Sequence, residues 1–447
     1  MKKSLLCISI ALLTMLTSCG SENSSTEESK GNISETISEI VSEDASENSS
    51  ENASETTSET ISESTSDALS EDASTDSSDS SEVTSEEVSE VISEDTSTAP
   101  KGPTFKNPAF AEGTAADPFV TYHNGYYYSS KTDGLLVSIY RSRSIDKLFT
   151  DEKKDIHIAA LVYIIFGGEN PEIPPEILNH DIQGNIWAPE LHYNPKTDRW
   201  YLYASGSTVD QEFNSIRMFC FESSTNDPWS DYTYKGLTDP DVLAIDQTVF
   251  YDEKTQNLYT AFSEFTSDKG QVITFALMEN PWTISDKRIQ ISFPKYNWEK
   301  LGERSDKDSR VNEGPFFTYN NGKLCLIYSA SGCWSEYYRL GLVEYVGDDF
   351  SPENMLDTKN WEKKDKPVFK AANNVYGVGH CSFFTSPDGT ENWIAYHGMA
   401  TPDAGEEGRY LYLQKFDFDE NGIPVFGEPL SRDIEIPYPS GDPKYQE

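Results

Sequence analysis

NEGPFFTYNNGKLCLIYSAS, residues 312–331, reads as a strand rich in Phe and Tyr, a tight polar turn, and a second apolar strand. The same phrase occurs four more times. ADPFVTYH (116–123) is followed by YYYSSK, NIWAPELHY (185–193) by RWYLYASG, AIDQTVFY (244–251) by NLYTAFSE, and GHCSFFT (379–385) by ENWIAYHG. Alternating aromatic and β-branched residues around Asn, Asp or Gly turns are the signature of hairpins. The phrases begin about 60 to 70 residues apart, room for one four-stranded sheet each, so the expected fold is all-β, a five-bladed β-propeller. Its register carries the functional information. Asp117, Trp187, Asp246, Glu313 and His380 each stand six or seven residues before their own turn. In blades stacked around an axis, equivalent positions on the innermost strands face one central site, and three of these five are carboxylates.

Outside the repeats the chain divides into unlike parts. Residues 1–19 join Lys2 and Lys3 to a short apolar run and end in Leu16-Thr17-Ser18-Cys19. This reads as a secretory signal too short to span a membrane stably. Its ending resembles a bacterial lipobox, which makes Cys19 the expected lipidation site and the bacterial cell surface the expected location. Residues 20–100 hold 23 acidic residues against the single base Lys30, and no aromatic residue. Such a segment cannot bury enough apolar surface to offset chain entropy, so a disordered acidic tether is expected there. Residues 101–447 form the propeller domain. They carry 53 acids and 32 bases, the wrong sign for binding nucleic acid but of no consequence to a neutral sugar. The expected contact with a membrane is the lipid anchor alone.

Acidic residues are depleted from strands, and three around one axis repel unless a proton or a cation relieves them. Sharing a proton raises one pKa, as a general acid requires, and a carboxyl pair with one member protonated is the equipment for cleaving a glycosidic bond. Turn caps or ligands of a structural ion are a tolerable alternative for Asp246 alone, but a weak one for three at matched register. Cys220, Cys325, Cys333 and Cys381 have no metal-ligand spacing and read as buried thiols, with a Cys325–Cys333 bridge the other reading. His123 and His192, near turns, read as surface residues. The stretch from about residue 151 to 180, rich in Pro and Glu, reads as a loop shaping the rim of a pocket.

The order A-D-P-F-V, I-W-A-P-E, A-I-D-Q-T-V-F, V-N-E-G-P-F and G-V-G-H-C-S-F-F resembles glycoside hydrolase family 43 over about residues 107–430. The likeness is strongest to its exo-acting α-L-arabinofuranosidases. It implies inversion at the anomeric carbon, with Asp117 as general base, Glu313 as general acid and Asp246 holding Glu313 in place with a raised pKa. It also implies that Trp187 and Glu190 line the sugar subsite, that Arg409 reaches the substrate, and that a cation, often calcium, lies beside His380. No cofactor is needed for the chemistry. Arabinan or arabinoxylan of plant cell walls is the implied substrate. A β-xylosidase of the same family and a non-catalytic carbohydrate-binding surface lipoprotein stay as alternatives. Asp117 and Glu313, on the first and fourth blades, would face across the ring, while Asp246 on the third would neighbour Glu313.

Overall fold

The computed structural model describes residues 102–110, 113–159, 178–179, 181–209, 212–305 and 307–446. The expected signal peptide, Cys19 and the acidic tether lie outside them. Five antiparallel sheets follow one another along the chain. Blade 1 runs through Phe119–His123, Tyr126–Ser130, Leu136–Ser142 and Glu152–Ala159, with Leu178–Asn179 added as a short parallel fifth strand. Blade 2 comprises Gly184–Asn194, Arg199–Ser207, Ile216–Ser223 and Tyr232–Leu237. Blade 3 comprises Ala244–Tyr251, Leu258–Thr266, Gly270–Asn280 and Thr283–Ser292. Blade 4 comprises Asn312–Asn320, Lys323–Ala330, Arg339–Tyr345 and Trp361–Lys363, and blade 5 Tyr376–Thr385, Asn392–Met399, Tyr410–Phe418 and Pro424–Val425.

Each hairpin follows from local chemistry. Asn124-Gly125 and Asn321-Gly322 both take positive φ at two successive residues, the turn whose twist suits paired strands. One correction concerns the presumed rim loop. Its first part, Glu152–Ala159, is the fourth strand of blade 1, because EKKDIHIA alternates well enough to hide Ile156 and Ile158. Residues 160–177 and 180 lie outside the described set.

Five apolar clusters fill the five gaps between neighbouring blades. Between blades 1 and 2 stand Phe119, Ile139, Leu202 and Phe221, and between blades 3 and 4 Tyr259, Phe275, Leu326 and Trp361. Blades 2 and 3 share Tyr203 and Phe262, and blades 4 and 5 share Ile327, Phe369 and Tyr396. The last gap, between blades 5 and 1, also takes in both ends of the domain: Phe105, Ile436 and Tyr438 join Tyr127, Phe384 and Trp393.

All four strands of each blade come from one contiguous stretch of chain, so the ring is closed by a clasp rather than by a shared sheet. Thr104–Phe105 pairs with Ile436–Pro437. The Asn107 side chain bonds the Leu413 backbone twice, giving to its carbonyl at 2.9 Å and accepting from its N–H at 3.0 Å. Asp442, wholly buried, accepts from Ser144 Oγ and Ile145 N, each at 3.0 Å. Replacing Asn107 with Ala leaves two buried backbone groups of blade 5 unpaired. The expected loss is about 2–4 kcal/mol of stability, read as a lower midpoint in urea unfolding. A loss under about 0.5 kcal/mol would show that the clasp does not close the ring.

Candidate active site

Four of the innermost strands share a local departure from regular pairing. Two residues drop out of the ladder between Trp187 and Glu190, Ile245 and Thr248, Glu313 and Phe316, and Gly379 and Ser382. The first of each unpaired pair takes positive φ: Ala188 at 45°, Asp246 at 60°, Gly314 at 52° and His380 at 47°. Asp117, two residues before the first paired residue of blade 1, matches them at 55°. These double bulges turn side chains out of the sheet and into the space around the axis. They also correct the register expected from sequence. Asp117, Asp246 and His380 are equivalent, whereas Trp187 and Glu313 stand one residue earlier on their strands.

Gly314 explains the Asn-Glu-Gly-Pro motif. A Cβ there would sit 3.0 Å from the His380 ring, at a φ that L side chains rarely adopt. Its N–H donates to Asp246 Oδ2 at 2.9 Å, tying the bulge of blade 4 to the carboxylate of blade 3.

Asp117, Asp246, Glu313 and His380 are all buried and come together. Asp117 Oδ1 meets His380 Nδ1 at 3.1 Å and Arg409 Nη1 at 3.2 Å, while Thr132 Oγ1 donates to its Oδ2 at 2.6 Å. The same hydroxyl accepts the N–H of Ala188 at 2.9 Å, locking blade 1 to blade 2. Glu313 accepts from Gln271 Nε2 at 2.8 Å and from Tyr338 Oη at 2.9 Å. Tyr338 stacks on His397 at 5.2 Å, nearly parallel, and Gly379 makes room, since a Cβ there would lie 2.3 Å from the tyrosine ring. His397 Nδ1 lies 3.2 Å from the Asp117 backbone N and 3.3 Å from Asp117 Oδ1.

Burial sets the baseline for every group, and the neighbours decide the outcome. Burial opposes ionisation of Asp117, yet His380 and Arg409 outweigh it and hold its pKa well below the usual range. Asp246 has no such direct contact, and burial, against the pull of His380 and with the nearby Glu313 and Asp117, pushes it up to about 7. Burial raises Glu313 too, against the pull of His380 and of its two donors. For His380, burial favours the neutral ring, but Asp117 and Asp246 overcome it and raise its pKa to about 10. Burial drives His397 down to about 4. Two cations, His380 and Arg409, therefore balance two of three carboxylates. The third has no cation in direct contact, and burial raises both Asp246 and Glu313.

The remaining expected residues fare differently. Arg409 reaches the site, where its partner is Asp117. Trp187 is half-buried beside Phe213, with ring centroids 6.4 Å apart. Glu190 does not line the site. It lies in the layer beneath, only 5 % exposed, with its Oε2 2.6 Å from His192 Nε2. His192 is correspondingly no surface residue. Its ring meets Phe119 at 5.5 Å and Phe316 at 5.9 Å, and those two phenylalanines, from blades 1 and 4, meet each other at 6.1 Å. Cys220, Cys325, Cys333 and Cys381 are free thiols. A hard cation wants six or more oxygen ligands. No group of three or more His, Cys, Asp or Glu suited to a metal ion occurs among the described residues, and His380 Nδ1 is engaged by Asp117 Oδ1 at 3.1 Å.

Thr132, Gln271, Tyr338 and His397 escaped the sequence reading. His397 did leave a signal. Opposite the residue before each bulge, blades 2, 3 and 4 place Ser205, Ser263 and Ser329, and blade 5 alone places a histidine.

The family model for glycosyl hydrolases family 43 matches residues 105–424. An extracellular exo-alpha-(1->5)-L-arabinofuranosidase of Streptomyces avermitilis is 31 % identical over 75 % of this chain and 66 % of its own length. The chain thus spans just under two thirds of that relative. An enzyme of the same name from Streptomyces chartreusis is 30 % identical over 67 % of this chain and 84 % of its own. Among solved structures, an alpha-L-arabinofuranosidase from Lactobacillus brevis superposes with a TM-score of 0.61 at 28 % identity, covering 74 % of this chain and 98 % of that one.

The raised pKa of Asp246 has a consequence for stability. The contribution of a carboxyl raised in the folded state is fully present below its ordinary pKa of 3.8 and is lost as pH rises through about 7. Asp246→Asn removes that loss while Oδ1 can still accept from Gly314. Its melting temperature at pH 8 should exceed the parent's by about 2–5 °C, with the gap narrowing toward pH 5. An equal gap at both pH values would refute the ionisation argument.

Proposed function

The chain belongs to the family 43 glycosyl hydrolases, and on that premise we propose that it releases terminal α-L-arabinofuranosyl units from arabinan or arabinoxylan with inversion at the anomeric carbon. The observation that carries this reading is the division of charge among the three carboxyls. Asp117 is held ionised by His380 and Arg409, as a base that activates water must be. Glu313, raised by burial and short of a cation of its own, is suited to protonate the departing oxygen. Two carboxyls driven apart in pKa by their surroundings are how one site runs acid and base chemistry together.

Asp246 acts through the Gly314 N–H and through its charge. It keeps the strand of Glu313 in place and makes that residue's proton harder to lose. Arg409 and Trp187 border the sugar, Arg409 while it orients Asp117. An inverting pair stands roughly 6.5–9.5 Å apart so that water fits beneath the anomeric carbon, and blades 1 and 4, not adjacent in the ring, suit that spacing.

Asp117→Asn and Glu313→Gln should each lower kcat/KM on arabino-oligosaccharides by about 10²–10⁴-fold, with the circular dichroism spectrum unchanged. Proton NMR of the first product formed should show the β anomer. Retained turnover in either variant, or an α product, would overturn the roles, and faster cleavage of aryl β-D-xyloside than of aryl α-L-arabinofuranoside would change the substrate. Asp246→Asn should move the alkaline limb of the kcat/KM profile to lower pH, because a neutral neighbour lets Glu313 ionise more readily.

We further propose that the enzyme works outside the cell, tethered through Cys19 by the acidic segment. The lipobox-like Leu16–Cys19 and the composition of residues 20–100 support this. Among the described residues no helix is long and apolar enough to cross a membrane. Cys19→Ala should shift activity from the membrane fraction to the medium. An unchanged distribution would remove the anchor.

A further inference from the structure

Beside the site, and outside it, lies a second buried charge that the chemistry above does not use. The Glu299 side chain is wholly buried between blades 3 and 4. It receives the N–H groups of Lys295 and Tyr296 at 2.8 Å, Asn312 Nδ2 and Tyr328 Oη at 3.0 Å, and Lys363 Nζ. Lys363, on the last strand of blade 4, donates in addition to Asn312 Oδ1 at 3.0 Å and to the Phe293 carbonyl at 2.5 Å.

Asn312 is the hub. It is fully buried and immediately precedes Glu313. Its Oδ1 also accepts from Ser292 Oγ at 2.7 Å. Its carbonyl accepts from Ser263 Oγ at 3.0 Å, and that hydroxyl accepts from Gln271 Nε2 at 3.1 Å. Gln271 Nε2 is the group that holds Glu313 Oε2. A continuous chain of polar contacts thus runs from Lys363 and Glu299 through Asn312 to both the backbone and the carboxyl of Glu313.

The other blades show that this is not a requirement of the fold. At the place equivalent to Asn312, two residues before the positive-φ position, they carry Ala115, Ile186, Ala244 and Val378, all fully buried. Only the blade bearing Glu313 puts a polar residue there and builds an ion pair behind it. Buried ion pairs are poor stabilisers compared with apolar packing of the same volume, whereas their directional bonds hold geometry closely.

We propose that Glu299, Lys363 and Asn312 are positioning residues that fix Glu313 at the distance and angle needed to deliver its proton to the leaving oxygen. This rests on the role given to Glu313. The rate of proton delivery depends on placement to a fraction of an ångström, and a device of this kind matters in proportion to how much the leaving group needs the proton.

The test uses that dependence. Lys363→Met, and the double variant Glu299→Gln/Lys363→Met in which both buried charges are removed together, are compared with the parent on two substrates. Arabinobiose has a poor leaving group that needs protonation, and 2,4-dinitrophenyl α-L-arabinofuranoside has one that does not. The expected result is a fall in kcat/KM of about 10-fold or more on arabinobiose and under about 2-fold on the dinitrophenyl substrate. A merely structural role would slow both alike, and that outcome overturns the proposal. Should Lys363→Met fail to fold, the double variant decides. Glu313→Gln calibrates the assay. If it slows both substrates equally, the assignment of Glu313 as the acid fails; if it discriminates and the positioning variants do not, only the present inference fails.

Discussion

Five ionisable groups share a space largely closed to water, and the site depends on how their charges cancel. Asp117, Asp246 and Glu313 face His380 and Arg409. An isolated carboxylate in such a place would cost several kcal/mol, so each charge persists only through its neighbours. Because there is one carboxyl more than there are cations, a proton must stay. The contacts settle one negative charge on Asp117, which meets both cations directly, and leave Asp246 and Glu313, both raised by burial, to share what remains. The asymmetry that acid–base cleavage requires thus follows from electroneutrality in a buried volume.

Backbone geometry makes this crowding attainable. The recurrent double bulge lifts one residue per innermost strand into a left-handed conformation and aims it at the axis. Asp117 and His380 offset the strain by pairing with each other, and Asp246 by accepting from Gly314 N–H; in the fourth blade the residue is Gly314, and the acid moves one residue earlier. A bulge also frees backbone groups, and these knit the ring together. Gly314 N–H reaches Asp246, Ala188 N–H reaches Thr132, and His380 N–H reaches Ser329. The residues proposed to be catalytic and the joints between blades are therefore the same structural feature.

Beneath this layer aromatic rings from different blades meet. Phe119, His192 and Phe316 meet ring to ring, and Glu190 pairs with His192. The layer under the site is thus largely aromatic, and such surroundings favour the raised pKa values. Around it, each gap between blades has its own apolar cluster, and the clasp of the two domain ends completes the last one. The ring needs that closure because no blade is assembled from both ends of the chain.

Repeated hairpins, their number and their order were legible in the amino-acid sequence, because alternation and Asn-Gly turns are local properties. So were Asp117, Asp246 and Glu313, since acidic residues in otherwise apolar strands demand an explanation wherever they occur. Glu190 and His192 were misread, because nothing local distinguishes a polar side chain that lines a pocket from one satisfied by a partner beneath it. His397, Tyr338, Gln271 and the Glu299–Lys363 pair lie far along the chain from the groups they touch. Their roles arise only when blades 3, 4 and 5 are brought side by side. Charge on the chain is a matter of composition, but which carboxyl keeps the proton depends on distances between residues hundreds of positions apart, and only the folded ring sets those.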